Sequence, residues 1–227
     1  MWPTCAIARR SPRPVPVAWR PSTSSASWEE NPGRRAPRRH GHPRTEPRSA
    51  FLSARRIITY GHSVLKRRAE EVVQLDADIA ALIDDMFATM YGARGVGLAA
   101  NQVGRLIRVA VVHPRGEGDQ GQPLALINPE ILEYAGSEVF EEGCLSVPGI
   151  FADLRRPERI LVRFLDKDGH EETREFSGMP ARVIQHEIDH LEGRLFVDHL
   201  SAMRKALLMK KLKAIAEDSA EDDPASS

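Results

Sequence analysis

The sequence predicts an α+β fold in a single domain, with short β-sheets packed around a central helix and a further helix at the C-terminus. Three observations carry this reading. Three separate stretches read as helices, two of them with apolar residues at three- and four-residue spacing. Between them lie short Val/Ile/Leu-rich runs broken by glycine turns. The two kinds of element do not alternate as regular βαβ units, which argues against a parallel sheet. A chain of 227 residues is long enough to bury one good core.

Taken in order, residues 1–52 form an Arg/Pro/Ser-rich extension predicted to be disordered. Nine of the sixteen prolines and all three tryptophans fall in its first fifty positions, without sustained apolar periodicity. The catalytic candidate region is residues 53–216. It opens on a β-like run, Arg56–Thr59, followed by a turn at Gly61-His62-Ser63. Residues 76–91 are an amphipathic helix with Ile79, Leu82, Ile83, Met86 and Met90 on one face. Leu106–Val112 and Leu124–Asn128 are strands by composition, separated by a Gly-rich loop at 116–121. Ile160–Leu165 turns at Asp166–Gly169 into the polar strand 170–176 as a hairpin. A helix follows from about Pro180 to Glu192, stopped by Gly193. The last helix, Ser201 to about Glu217, places Met203, Leu207, Leu208, Leu212 and Ile215 on its apolar side, and residues 217–227 read as an acidic frayed tail.

The formal charge is zero overall but uneven. Residues 1–50 carry ten arginines against three acids, about +7, so the remainder carries about −7. That balance argues against DNA as a partner, since a nucleic-acid binder needs a basic face on its folded domain. No apolar run approaches the roughly twenty residues of a membrane span. Two distant cysteines, Cys5 and Cys144, make no disulfide framework and suit a reducing compartment, so a cytoplasmic protein is expected. We expect the folded protein to start near Ser53, with a mis-assigned start upstream. An organellar transit peptide and an RNA-binding arm are the alternatives.

Three segments carry chemistry. In Gln185-His186-Glu187-Ile188-Asp189-His190, residues four apart share one helix face, so both imidazoles can reach one ion. Glu187 sits beside a ligand, where a carboxylate can serve as base. A catalytic site needs a third protein ligand. Glu192 and His199 are poorly spaced for it, which draws attention to Cys144 in Glu141-Glu142-Gly143-Cys144-Leu145-Ser146-Val147-Pro148-Gly149. A buried small hydrophobe and a nucleophile with a histidine base are the other readings of that cysteine. The third segment, Gly95-Val96-Gly97-Leu98-Ala99-Ala100-Asn101-Gln102, lacks the third glycine and the Lys-Ser/Thr of phosphate loops. Its small residues allow close approach to the backbone, and the Gln102 amide can stabilise an oxyanion.

Together, Gly95–Gln102, Glu142–Ser146 and His186–His190 resemble the signatures of the peptide deformylase family: G-x-G-x-A-A-x-Q, E-G-C-L-S and H-E-x-D-H in that order. The resemblance covers roughly residues 55–215. Two positions depart from it: Ser63 stands where proline is common, and Phe151 where some bacterial members carry an arginine that contacts the substrate backbone.

The resemblance implies removal of the N-formyl group from nascent formyl-methionyl peptides, with release of formate. It implies a metal held by Cys144, His186 and His190, with Glu187 as general base and then acid. The Gln102 side chain and the Leu145 backbone N–H would hold the oxyanion. By motif position Val96, Gly97, Gly143 and Val183 contact the substrate, with His186 beside them. The ion would be ferrous iron in the cell, with zinc, nickel or cobalt accepted, and a thiolate ligand open to solvent should make the ferrous form oxygen-sensitive. Arg204, Lys205, Lys210, Lys211 and Lys213 give the last helix a basic face that could meet ribosomal RNA; an ordinary solvated face is the alternative. The rivals are a zinc endopeptidase and a catalytically silent binding module.

Overall fold

The computed structural model describes residues 54–114 and 121–220. The expectations for residues 1–52, for most of the loop at 116–121 and for the last seven residues lie outside that range.

Helix α1 (Ala77–Gly92) is entered at Asp76, whose side chain accepts from the Ile79 N–H at 2.9 Å. Strand β1 (Gly97–Ala99) leads into a single 3-10 turn at Ala100–Val103, and β2 (Val109–Val112) and β3 (Leu124–Ala135) follow. Then come β4 (Glu138–Cys144), β5 (Val147–Arg156), β6 (Arg159–Leu165), β7 (Glu171–Ser177), α2 (Gly178–Leu191) and α3 (Ala202–Ala220). Five strands make one antiparallel sheet in the order β1-β2-β3-β6-β7, and β4 and β5 form a separate two-stranded hairpin. The architecture is α+β, with α2 at its centre.

The position of α2 follows from its two faces. Ala181, Val183, Ile184 and Ile188 pack with Ile160, Val162, Phe164 and Phe176 of the large sheet. Each of the Val, Ile and Phe side chains contributes about 1.5–3 kcal/mol by leaving water. The opposite face carries Arg182, Gln185, His186, Asp189 and His190, all buried too. Buried polar groups need partners, and for Arg182, His186, Asp189 and His190 these include side chains of the β4–β5 hairpin. Gln185 bonds Pro157 O and Ala181 O. A second apolar cluster places α1 against β1 and β2 through Leu82, Met86, Met90, Leu98, Val109 and Val111.

Several expectations are corrected. Arg56–Thr59 is extended but joins no sheet, because its partners are a 3-10 turn and a loop: Ile58 N–H donates to Gln102 O (2.8 Å) and Tyr60 N–H to Ser146 O (2.7 Å). The strand expected from Leu106 starts at Val109, since Glu70 bridges to Ile107 just before it. Strand β3 runs past Asn128 to Ala135 through irregular register, with Asn128 at φ 51° and its side chain bonded to both the N–H and the carbonyl of Val72 at 2.8 Å. On α3 the packed residues are Leu208, Leu212 and Ile215, while Met203 and Leu207 are 75% and 79% exposed. The helix also continues beyond Glu217 to Ala220, held by Ser219 Oγ donating to Thr59 O at 3.2 Å.

Candidate active site

Cys144 is the last residue of β4. The ladder shifts register between Gly143 and Cys144, so Cys144 pairs with Val147 across the turn at Leu145-Ser146. Gly143 lets the Phe151 ring lie against the strand there, since a Cβ would sit 2.6 Å from that ring and push it aside. The shift aims the thiol at α2, where His186 and His190 stand one turn apart with ring centroids separated by 5.0 Å. The donor atoms of Cys144, His186 and His190 all lie within 4.8 Å of one another. Cys144 Sγ is 3.1 Å from His190 Nε2, and it accepts from Ser146 N–H at 3.4 Å. Gln102 Nε2 reaches Ser146 Oγ at 3.1 Å and Cys144 Sγ at 3.6 Å, while its Oε1 accepts from Ala99 N–H at 2.8 Å. The other two candidates for a third ligand are engaged elsewhere: His199 Nε2 bonds Asp189 at 2.7 Å, and Glu192 pairs with Arg108 and Arg68.

Beneath the cluster lies a buried charge network that the sequence did not reveal. Glu142 Oε2 is 3.1 Å from His186 Nδ1. Arg156 grips both oxygens of Glu142 at 2.6 and 3.0 Å, and its remaining nitrogen bonds Asp189 at 2.7 Å. Arg182 adds a third cation bond to Glu142 at 2.7 Å. Burial pushes the Glu142 carboxyl up, but the bonds from His186 and Arg156 outweigh it and hold the group at about 2. Asp189 is lowered as well: His199 and Arg156 outweigh its burial.

The cluster itself is strongly polarised. Burial pushes the Cys144 thiol up, yet the imidazoles of His190 and His186 bring it down to about 5. Burial favours neutral His186, but its contacts with Cys144 and Glu142 raise it well above its ordinary value. A thiolate beside a positive imidazole is the arrangement in which a divalent cation can replace the shared proton. With Nδ1 held by Glu142, His186 has Nε2 left to ligate. Thiolate with two imidazoles is a fitting donor set for a borderline divalent ion.

A pocket of about 510 Å³ opens on these groups, with Gly95, Val96, Gly97, Leu145, Phe151 and Val183 among its lining. Gln102, Gly143, Cys144, His186 and Glu187 also line it. His190 lies behind, 1% exposed. Thus every side chain expected at the site converges on one place. Burial pushes Glu187 up to about 7 against the pull of His186 and His190. Its carboxylate lies so close to Gly97 that a Cβ there would sit 2.2 Å from Oε1 and 2.9 Å from Val183 Cγ1. Gly97→Ala should therefore displace the carboxylate. We expect kcat/KM to fall on the order of 10²-fold with metal content unchanged, measured by steady-state kinetics beside metal analysis.

A thiolate and two imidazoles within metal-binding reach, beside a buried carboxylate and an apolar pocket, define the class: a metal-dependent hydrolase. The sequence model of the polypeptide deformylase family matches residues 54–206. The chain belongs to the polypeptide deformylase family, metal-dependent hydrolases that remove the N-formyl group from the N-terminal methionine of newly made proteins. A peptide deformylase of Alkalilimnicola ehrlichii is 48% identical over 159 residues, covering 70% of this chain and 89% of its own. One from Mesorhizobium japonicum is 44% identical over 165 residues, covering 72% and 94%. The crystal structure of the Ehrlichia chaffeensis peptide deformylase superposes with a TM-score of 0.68 at 38% identity, over 73% of this chain and 98% of its own. A structure of that protein in complex with actinonin gives 0.67 at 40% identity, over 71% and 97%.

Proposed function

We propose that Cys144, His186 and His190 hold one divalent metal ion and that the surrounding residues carry out deformylation around it. The observation that carries this is the meeting of a thiol from the hairpin with two imidazoles from α2, all donor atoms within 4.8 Å. When bound, the ion polarises the formyl carbonyl and acidifies water toward a pKa of roughly 7. Glu187 takes the proton from the attacking water and returns it to the leaving amine, which departs only when protonated. Gln102 Nε2 and the Leu145 backbone N–H stabilise the oxyanion. Gln102 is already held for this, its Oε1 bound by Ala99 N–H at 2.8 Å. Val96, Gly97, Gly143 and Val183 contact the formyl-methionyl end; a formyl group carries only hydrogen, so the crowding at Gly97 is tolerated.

We assign ferrous iron as the ion in the cell, with zinc, nickel and cobalt able to replace it, and nascent formyl-methionyl peptides in the cytoplasm as substrates. Among the described residues no helix is long and apolar enough to cross a membrane. The catalytic domain is residues 53–216, flanked by the extension 1–52 and the acidic end of the chain. An anaerobic assay of formate release from formyl-Met-Ala tests the reading. Wild type supplied with ferrous iron should release formate, and Cys144→Ala should release none; no formate from wild type overturns it.

Ribosome contact through α3 is part of the same reading, on a narrower set of residues than expected. Arg204 bonds Asp153 O at 3.1 Å and Lys205 bonds Asp198 at 2.8 Å, whereas Lys210, Lys211 and Lys213 are exposed. Lys210→Glu/Lys211→Glu should abolish a salt-dependent co-sedimentation with ribosomes. Binding unchanged by that pair excludes the contact.

A further inference from the structure

A ligating imidazole keeps its orientation through the hydrogen bond that its other ring nitrogen makes. For His186 that partner is Glu142, 3.1 Å from Nδ1. His190 differs. Its Nε2 faces Cys144 Sγ at 3.1 Å, while Nδ1 is buried and has no hydrogen-bond partner among the described residues. When Nε2 ligates a cation in place of its bond to the thiolate, Nδ1 carries the ring proton and needs an acceptor. A buried donor left unsatisfied is costly enough that its partner should be sought nearby.

Two buried acceptor atoms are themselves without partners: Asn101 Oδ1 and Glu187 Oε2. Glu187 belongs to the pocket side, with Gly97 and Val183, where its proton traffic takes place. Asn101 is wholly buried, and its Nδ2 donates to the backbone carbonyl of His190. The amide is therefore anchored to the very residue whose ring lacks a partner, with its oxygen unused.

We infer that Asn101 is a positioning residue for His190: its Oδ1 accepts the Nδ1–H through one shared buried water, which keeps Nε2 as the ligating nitrogen. Two polar partners are the fewest that hold a buried water, and Asn101 Oδ1 and His190 Nδ1 would supply both. Because Asn101 immediately precedes Gln102 on one 3-10 turn, the segment that presents the oxyanion donor also steadies the metal-binding helix. The inference rests on the proposed assignment of His190 as a ligand.

The test uses zinc-loaded wild type, Asn101→Ala and Asn101→Asp, with the rate of zinc transfer to a chromogenic chelator as readout. Asn101→Ala should release zinc about 10–100-fold faster. Asn101→Asp keeps an acceptor oxygen but loses the bond to the His190 carbonyl, and should stay within several-fold of wild type. Long-range nitrogen–proton NMR on zinc-loaded wild type should show His190 as the Nδ1–H tautomer, a measurement that does not depend on how the variants fold. Release from Asn101→Ala within twofold of wild type overturns the inference, as does Asn101→Asp releasing as fast as Asn101→Ala, or a His190 protonated at Nε2. Failure of wild type to take up zinc overturns the metal assignment itself, and this inference with it.

Discussion

Glu187→Ala and Glu187→Gln should each lower kcat/KM for formyl-Met-Ala by at least ~10²-fold while the protein keeps its full metal content. The carboxylate is 3% exposed and one of its oxygens has no hydrogen-bond partner among the described residues. A carboxylate buried with an unpaired oxygen costs the fold stability, so its burial tells of use. Burial pushes the group up to about 7, where a carboxylate both accepts and returns a proton near neutral pH. A base works only when deprotonated, so activity should rise with pH as Glu187 ionises. A divalent cation next to it favours the ionised form and moves that limb of the pH profile below 7. In Glu187→Gln the residual rate should lose the limb altogether. Metal lost in parallel with activity, measured by elemental analysis, would mean that Glu187 acts on the site's assembly and would exclude its role as base.

The parts of the site legible in the sequence are those whose logic is local. His186 and His190 share a helix face by spacing alone, and the absence of a well-spaced third ligand gave Cys144 its role. The network under them has no local signature. Arg156 stands 14 residues from Glu142 and 33 from Asp189, and only the hairpin's fold over α2 brings the three together. Glu142 was visible inside its motif, but a glutamate before a glycine does not announce that it is buried. The same limit explains the fold-level corrections. Met203 and Leu207 are apolar, so composition put them inward, yet the phase of α3 is set by Leu208, Leu212 and Ile215 against the hairpin cluster. Strands β4 and β5 have no comparable signature, because a separate two-stranded hairpin with Glu138, Glu141 and Glu142 on one strand shows no clean apolar alternation.

That hidden network carries the second large effect. Glu142→Ala should destabilise the protein by about 3–5 kcal/mol in urea unfolding. The reason is less the lost attraction than what stays behind. Arg156 and Arg182 have side chains only 7% and 5% exposed, and without Glu142 they remain buried with much of their counter-charge gone. His186 loses the acceptor at 3.1 Å that orients its ring, so zinc affinity should fall about 10–100-fold at the same time. Glu142→Gln separates the two effects, since an amide oxygen can still accept from His186 Nδ1 but brings no charge to the arginines. It should keep most of the metal affinity and lose much of the stability. The pH dependence gives an independent reading. Glu142 is held at about 2 against an ordinary 4.5, so its contribution is fully present above pH 4.5 and disappears as pH falls toward 2. Wild type should lose stability steeply across that window, and Glu142→Gln should be flatter there. A variant with unchanged urea midpoint and an unchanged acid limb would show that the arginines find other partners, and that the network is not what fixes the hairpin to α2.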